Sequence, residues 1–561
     1  MNKPLVALAA ALIATPAAAD TWVRNVNGIQ VGADGKLQHF AGLLIGEDGR
    51  VKRLGTVASS MRITGTDNVR VIDGGGRTLL PGLVDAHGHV MDLGTAAIIL
   101  RLTGTSSIED LKQRLRGYAA AHPDDPWILG FGWNQELWPA KRFPTAADLD
   151  AVVPDRPVIL ERVDGHAIIV NSAAMKAAGV TARTADPAGG KIERNASGNP
   201  TGLFVDNARE LVERHKPPLS AAQEDRALAA AQNQLLSFGV TSAGDMATTA
   251  EAWGAFRRAG ERGRLQVRLL SYGYGLDNLA KITRASPRSW QYNDHLKFNG
   301  LKLFADGALG SRGAWLKQPY ADKPDTRGIP RQQSDELLRD AGQAAAAGFQ
   351  VAIHAIGDAA NAEAIGVYEQ LSRKYGRDRR WRIEHFQIAD PADIPRLAPA
   401  GIIASMQPTH QTSDRLMAEK RLGPNRLVGA YAWRTVLKSG AKLAFGSDFP
   451  VESPNPFPGL SAAISRQDVN GEPPGGWIPS ERLTLEQALD AFTRGAAYAG
   501  FAEDRIGALE PGKWADFILI DRDPTRVDAQ SLARTQVLQT WVAGKKVWER
   551  SPSAPPTERA K

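Results

Sequence analysis

The chain of 561 residues contains no cysteine. Disulfides, thiolate zinc sites, iron–sulfur clusters and cysteine nucleophiles are therefore excluded together. Any metal must be held by imidazole and oxygen ligands. Beyond the first twenty residues there is no long apolar run, so no stable membrane insertion is expected. Charge of one sign is not gathered into blocks: 68 basic and 61 acidic residues give a net +7, and no nucleic-acid motif accompanies them. No nucleic-acid partner is expected. No G-x-S-x-G elbow supports a serine hydrolase, and no G-x-G-x-x-G or Walker loop follows a predicted strand.

What is present is ordinary globular material, 43% hydrophobic and 23% charged, enough for a sizeable core without a covalent or metal staple. Met1–Asp20 (MNKPLVALAAALIATPAAAD) has the order of an export signal. Lys3 supplies the basic region, Leu5–Ala14 the apolar region and Ala17–Ala19 the small-residue cleavage site. The apolar stretch is too short to remain as a spanning helix. Residues 1–19 are thus read as a signal peptide, and the mature protein as periplasmic or secreted.

Short alternating runs over Thr21–Leu80 and again over Ala515–Asp521 and Gln536–Trp548 read as β-strands separated by turn formers. Residues 20–79 and 505–561 are expected to meet as a small composite β-sandwich domain formed by both chain termini. Between them, short apolar strands alternate with amphipathic helices. Eight strands are predicted, at Leu80–His87, Val240–Gly244, Gln266–Ser271, Gly300–Ala305, Phe349–Ala355, Arg380–Phe386, Ile402–Gln407 and Lys442–Gly446. That rhythm predicts an α/β fold, a (β/α)8 TIM barrel over residues 80–504. A doubly wound open sheet is the runner-up. The first and second strands lie too far apart for a simple connection. An inserted subdomain over about residues 105–215 is expected, rising from the rim above the site.

There are only ten histidines, and their placement is informative. His87 and His89 close the first predicted strand, where residues i and i+2 face one side. His354 closes the fifth and His385 the sixth, and Asp448 follows the eighth. All five fall at C-terminal strand ends, the rim on which barrel enzymes build their sites. A metal centre is the reading that accounts for them together. Substrate-binding candidates are His166 in VDGH, His410 after the seventh strand, Arg312 in a Gly-rich loop as partner for a substrate carboxylate, and Trp133 as part of an apolar pocket. Glu384, next to His385 in a strand, is expected to point away from the metals.

The stretches LLPGLVDAHGHV, GSDFPV and GALEPGKWADFILID, with the two strand-end histidines, resemble the amidohydrolase superfamily. GFGWNQELWP, RVDGHAIIVNS, GLKLFADGALGSRGA and MQPTHQTSD are similar to its YtcJ-like branch, amidohydrolase family 3. The resemblance implies a metal-dependent hydrolase and adds a role for Lys302, which matches a lysine that in many members is carbamylated and bridges two metals. His87, His89 and Asp448 would then hold one divalent ion and His354 and His385 another, with carbamylated Lys302 between them, whereas an unmodified Lys302 would favour a single ion. Zinc is favoured by nitrogen and oxygen donors. The expected reaction is attack by a metal-bound hydroxide on a small-molecule amide or N-acyl compound. A carbon–nitrogen bond other than a peptide bond is cleaved, with Asp448 as general base and then general acid. The same centre would serve a lactonase, esterase or phosphotriesterase, and a non-catalytic metal-binding protein is the rival outside the enzymes. Neither the substrate nor the oligomeric state is legible, a homodimer being the commonest arrangement of a soluble enzyme.

Overall fold

A computed structural model describes residues 19–55, 69–135, 138–162, 167–187, 190–283, 286–310 and 312–551. Apart from Ala19, the export segment expected at residues 1–19 lies outside them. The chain divides into one compact unit made of Met1–Val90 with Ala231–Lys561, and a second made of Met91–Ala230.

In the first unit, both ends of the chain build one sheet. Its strands run Lys545–Glu549, Val537–Val542, Phe517–Ile520, Thr78–Pro81, Asp20–Val31, Leu37–Ile45, Val51–Gly55, with Val69–Asp73 beside Asp20–Val31. Hydrogen bonding passes through all eight without a break between layers. Val23, Phe40, Leu43, Leu79, Leu519 and the stacked rings of Phe517 and Trp541 form its core.

The barrel follows directly. Its strands are β1 (Leu83–Gly88), β2 (Val240–Thr248), β3 (Arg268–Tyr274), β4 (Leu296–Phe304), β5 (Gln350–Ala355), β6 (Trp381–His385), β7 (Ile402–Met406) and β8 (Lys442–Phe445). Each is parallel to the next in chain order. Strands such as IIASM are buried along their whole length, as a parallel sheet covered on both faces requires. The circle nearly closes where Gly88 bridges Phe449 in parallel. There the Asp448 N–H donates to the His87 carbonyl, and the His89 N–H to that of Phe449, each at 2.8 Å.

The single first strand predicted over Leu80–His87 is in fact two. Thr78–Pro81 belongs to the terminal sheet and Leu83–Gly88 to the barrel. Pro81 has no N–H for a continuing ladder. At Gly82 the chain changes partners: its N–H donates to Asp516 O, while that of Leu83 donates to Gly239 O. A Cβ at Gly82 would fall 2.3 Å from the Thr241 hydroxyl, so only glycine makes this crossing.

The second unit carries a six-stranded sheet in the order Gly190–Arg194, Pro200–Asp206, Ala167–Val170, Val158–Arg162, Ile128–Trp133, Leu100–Arg101. It begins earlier and ends later than the 105–215 expected. Strand Leu100–Arg101 pairs with Ile128–Trp133, and Gln223 and Arg226 hold the buried Asp125 at 3.1 and 2.9 Å. Its C-terminal boundary falls inside helix Ala221–Ser237, where composition does not change. Trp133 is fully buried here among Leu102, Leu111, Leu160 and Trp138, and its indole N–H donates to Leu160 O at 2.8 Å. The expectation that Trp133 lines a substrate pocket is therefore corrected. A ring with no exposed surface and a satisfied N–H is core.

Beneath the barrel, Arg268 of β3 forms a bidentate pair with Asp516 at 2.7 and 3.0 Å, both side chains buried. Removing one partner of such a pair leaves an uncompensated charge. Arg268→Ala is expected to lower stability by about 3–5 kcal/mol, measured by urea unfolding of the metal-free protein. Replacing both residues with apolar ones should recover part of that loss. An Arg268→Ala protein as stable as the wild type would show that the pair does not hold the terminal sheet to the barrel.

Candidate metal centre

The five strand-end residues converge. The ring of His385 lies 4.7 Å from that of His87 and 4.5 Å from that of His354, and the His87 and His89 rings are 5.5 Å apart. Asp448 Oδ1 stands 3.0 Å from His89 Nε2 and 3.4 Å from His87 Nε2. His87, His385 and Asp448 bring one donor atom each within 4.8 Å of one another, all buried. Lys302, buried in β4, has its Nζ 5.0 Å from the Phe304 ring. His410, in the first turn of helix Pro408–Leu422, stacks on His385 and places Nε2 3.6 Å from Asp448 Oδ2.

Backbone shape brings this about. His385 and Phe386 have φ of 74° and 45°, and Asp448 has φ of 60°, values that L-residues other than glycine seldom adopt. The positive φ at His385 breaks the alternation of β6. Glu384 points into the barrel as the pleat requires, and His385 turns back to join it. Asp85 fastens the neighbouring strand ends. Its carboxylate accepts from the His87 N–H at 3.0 Å and from the Ser447 hydroxyl at 2.6 Å. It thereby fixes the HxH turn against the loop that carries Asp448. Gly446 is required between them, since a Cβ would fall 2.5 Å from both Asp85 Oδ1 and the His87 nitrogen. Asp306 does the same for the fifth strand, accepting from Trp315, Ile356 and Gly357 N–H groups at 2.8–3.0 Å.

The expectation for Glu384 is overturned by this bend. Its Oε2 lies 2.6 Å from His87 Nδ1, and Arg382 donates to both its oxygens. A carboxylate on Nδ1 fixes the proton there and presents Nε2 as the free donor, the usual support of a metal-ligating imidazole. Burial opposes ionisation of Glu384, but Arg382 and His87 hold it well below the ordinary carboxylate range. Burial likewise works against Asp448, and the surrounding histidines outweigh it and keep it ionised.

The imidazoles of His87, His354 and His385 are held neutral. Burial, reinforced by the nearby Lys302 charge, lowers His87 to about 4 and His354 to about 3, and pushes His385 well below its usual value. Burial also lowers Lys302 to about 8, and no carboxylate among the described residues forms a salt bridge with it. His87 Nε2, His89 Nδ1, His354 Nε2 and His410 Nε2 are buried with no hydrogen-bond partner among the described residues. Such atoms are costly to leave unpaired. The neutral imidazoles of His87, His354 and His385 beside ionised Asp448 make a nitrogen and oxygen donor set that fits a divalent cation.

Of the remaining candidates, His166 lies outside the described residues. Arg312 is engaged elsewhere: Nε and Nη2 donate to Asp322 at 3.2 and 2.9 Å, and Arg421 binds the same carboxylate. Its assignment to a substrate carboxylate is corrected, because an anion in its own loop takes the fork. Asp85, Glu384 and Asp306 were not singled out as supports of the site. Only Asp85, two residues before His87 in VDAH, carried a signal in its spacing.

Fold and site together define a barrel enzyme with an imidazole and carboxylate centre at its C-terminal rim. The amidohydrolase family pattern matches residues 70–548. YtcJ of Bacillus subtilis (strain 168) is 33% identical over 497 residues, 87% of this chain and 92% of that protein. The N-substituted formamide deformylase of Arthrobacter pascens is 27% identical over 518 residues, covering 90% of this chain and 94% of that one. The crystal structure of an uncharacterized metal-dependent hydrolase from Pyrococcus furiosus matches with a TM-score of 0.77 at 29% identity, covering 90% of this chain and all of that one. The chain belongs to the amidohydrolase family and is a hydrolase.

Because charging a buried imidazole costs desolvation, His87 and His354 are expected to stay neutral in the metal-free protein as pH falls from 8 to 5. Exposed histidines titrate near 6.5 over that range. His89 behaves oppositely: burial lowers it, but the hydrogen bond and charge of Asp448 prevail and raise it. Histidine-selective NMR checks this, and His87 and His354 charging near pH 6.5 would contradict the burial argument.

Proposed function

We propose that the protein is an exported metal-dependent hydrolase that cleaves a carbon–nitrogen bond, other than a peptide bond, in an amide or N-acyl compound. The observation that carries this reading is the convergence of buried His87, His385 and Asp448, with His87 Nε2 and His354 Nε2 left without a hydrogen-bond partner among the described residues. That this chain matches the amidohydrolase family pattern and that one relative is an N-substituted formamide deformylase supports the choice of bond. Export is supported by the order of basic, apolar and small residues in Met1–Ala19.

His87, His89 and Asp448 would hold one ion and His354 and His385 a second, with Lys302 between them. Zinc suits these donors. When bound, the cation supplies water activated near neutral pH and a Lewis-acidic site for the substrate carbonyl. Lys302, its ammonium disfavoured by burial, is readily deprotonated. The free amine can add carbon dioxide, forming an N–C bond and losing a proton to become a carbamate. Asp448 Oδ2 is the base that removes a proton from the attacking water and returns it to the leaving nitrogen. His410 Nε2, 3.6 Å from that oxygen, donates to the carbonyl oxygen as negative charge develops. Gln387, whose Nε2 donates to Asp414 at 3.0 Å, lies 3.4 Å from His410 Nδ1 and keeps the ring turned that way.

The test is hydrolysis of a panel of N-formyl and N-acetyl amines, a lactone, a carboxylic ester and a phosphotriester by zinc-loaded protein. Amide turnover that chelation abolishes and zinc restores is expected. Asp448→Asn should reduce kcat by about a hundredfold or more in samples whose folding is verified by circular dichroism. Hydrolysis of the ester, lactone or phosphotriester alone would replace the amide assignment. Metal uptake with no turnover of any member would favour a binding protein.

A further inference from the structure

The connection after β4 carries three arginines, Arg312, Arg327 and Arg331, of which the first and last bear on the site. Arg312 is held by Asp322, as described. Arg331 closes the same connection: its backbone N–H donates to Ala305 O at 2.8 Å, which brings it back to the end of β4. Its guanidinium carbon lies 5.0 Å from the centre of the Phe304 ring. Lys302 Nζ is also 5.0 Å from that centre, so the two cationic groups are at most twice that distance apart. Phe304 follows Lys302 by two positions and therefore faces the same side of the strand. Its ring lies 5.2 Å from that of His354 and 5.3 Å from that of Tyr274, and Tyr274 is exposed.

The result is an aromatic wall beside the imidazole cluster with a guanidinium resting on it. Arg331 is exposed and forms no salt bridge among the described residues. Contact with the ring favours this position of the guanidinium and leaves its N–H donors without a protein partner among the described residues. A planar fork of donors in a fixed position suits a carboxylate.

We propose that Arg331 is a specificity-determining residue, binding a carboxylate borne by the substrate a few bonds from the scissile carbon–nitrogen bond. Phe304 and Tyr274 pack the apolar part. The substrate class is then an anionic N-acyl compound, such as an N-acylated amino acid with an aromatic or apolar side chain. This rests on the hydrolase reading above and narrows it.

The probes are N-acetylphenylalanine and N-acetyl-2-phenylethylamine, which differ only by the carboxylate. Calorimetric titration into the zinc-loaded full-length protein should show the carboxylate member binding about tenfold more tightly. In Arg331→Met the ratio should fall to about one. Arg331→Lys keeps the charge but not the fork and should retain only part of the preference. A wild type that does not distinguish the pair, or binds neither, overturns the proposal, and so does a preference that survives Arg331→Met. Hydrolysis of the pair is read separately. Carboxylate-selective binding without turnover would contradict the reaction and leave the recognition standing, whereas turnover without selectivity would contradict the role of Arg331.

Discussion

A polar atom removed from water must find a partner or it destabilises the fold. Here four imidazole nitrogens, from His87, His89, His354 and His410, meet that condition badly in the protein alone. They are gathered where burial and a neighbouring cationic lysine keep the rings of His87 and His354 neutral. Such an arrangement weakens the isolated chain and becomes favourable when a cation takes the lone pairs of His87 and His354 and a substrate oxygen accepts from His410. Much of the surrounding structure serves to keep these side chains from relaxing into better contacts with one another.

That restraint is distributed over carboxylates that are not themselves the candidate donors. Asp85 ties the end of β1 to the loop after β8, Asp306 ties the loop after β4 to the end of β5, and Glu384 orients His87 with Arg382 behind it. Arg382 continues the network through Tyr272 and Ser405. Below the site, Arg382, Glu384, Tyr272 and Ser405 thus form a connected polar network, whereas several imidazole nitrogens at the rim have no partner among the described residues.

The eight parallel strands were legible because each is a short apolar run bounded by turn residues, and that period survives in a sheet buried on both faces. The convergence of His87, His89, His354, His385 and Asp448 was legible because few histidines exist and these fall at strand ends. What strand periodicity could not supply was any departure from regular backbone. The left-handed conformation of His385 defeats the rule that neighbours in a strand face opposite ways, and so Glu384 was assigned to the wrong side. Pro81 and Gly82 move the chain between sheets within what reads as one strand. Arg312 and Arg331 share one connection, and only the course of that connection shows that Asp322 takes the first and leaves the second without an ion-pair partner among the described residues. Trp133 illustrates the opposite error, in which a residue type common in pockets is enclosed by its own subdomain.

The central claim is that the histidine cluster exists to hold divalent metal. The most direct measurement is X-ray absorption on the full-length protein equilibrated with zinc and bicarbonate and freed of loosely bound metal, together with its zinc content. The account expects at least one zinc per chain, coordinated by nitrogen and oxygen with an imidazole scattering pattern, and loss of that zinc in His87→Asn and His385→Asn. A wild-type protein that retains no stoichiometric metal, or one whose zinc survives both substitutions, would contradict it.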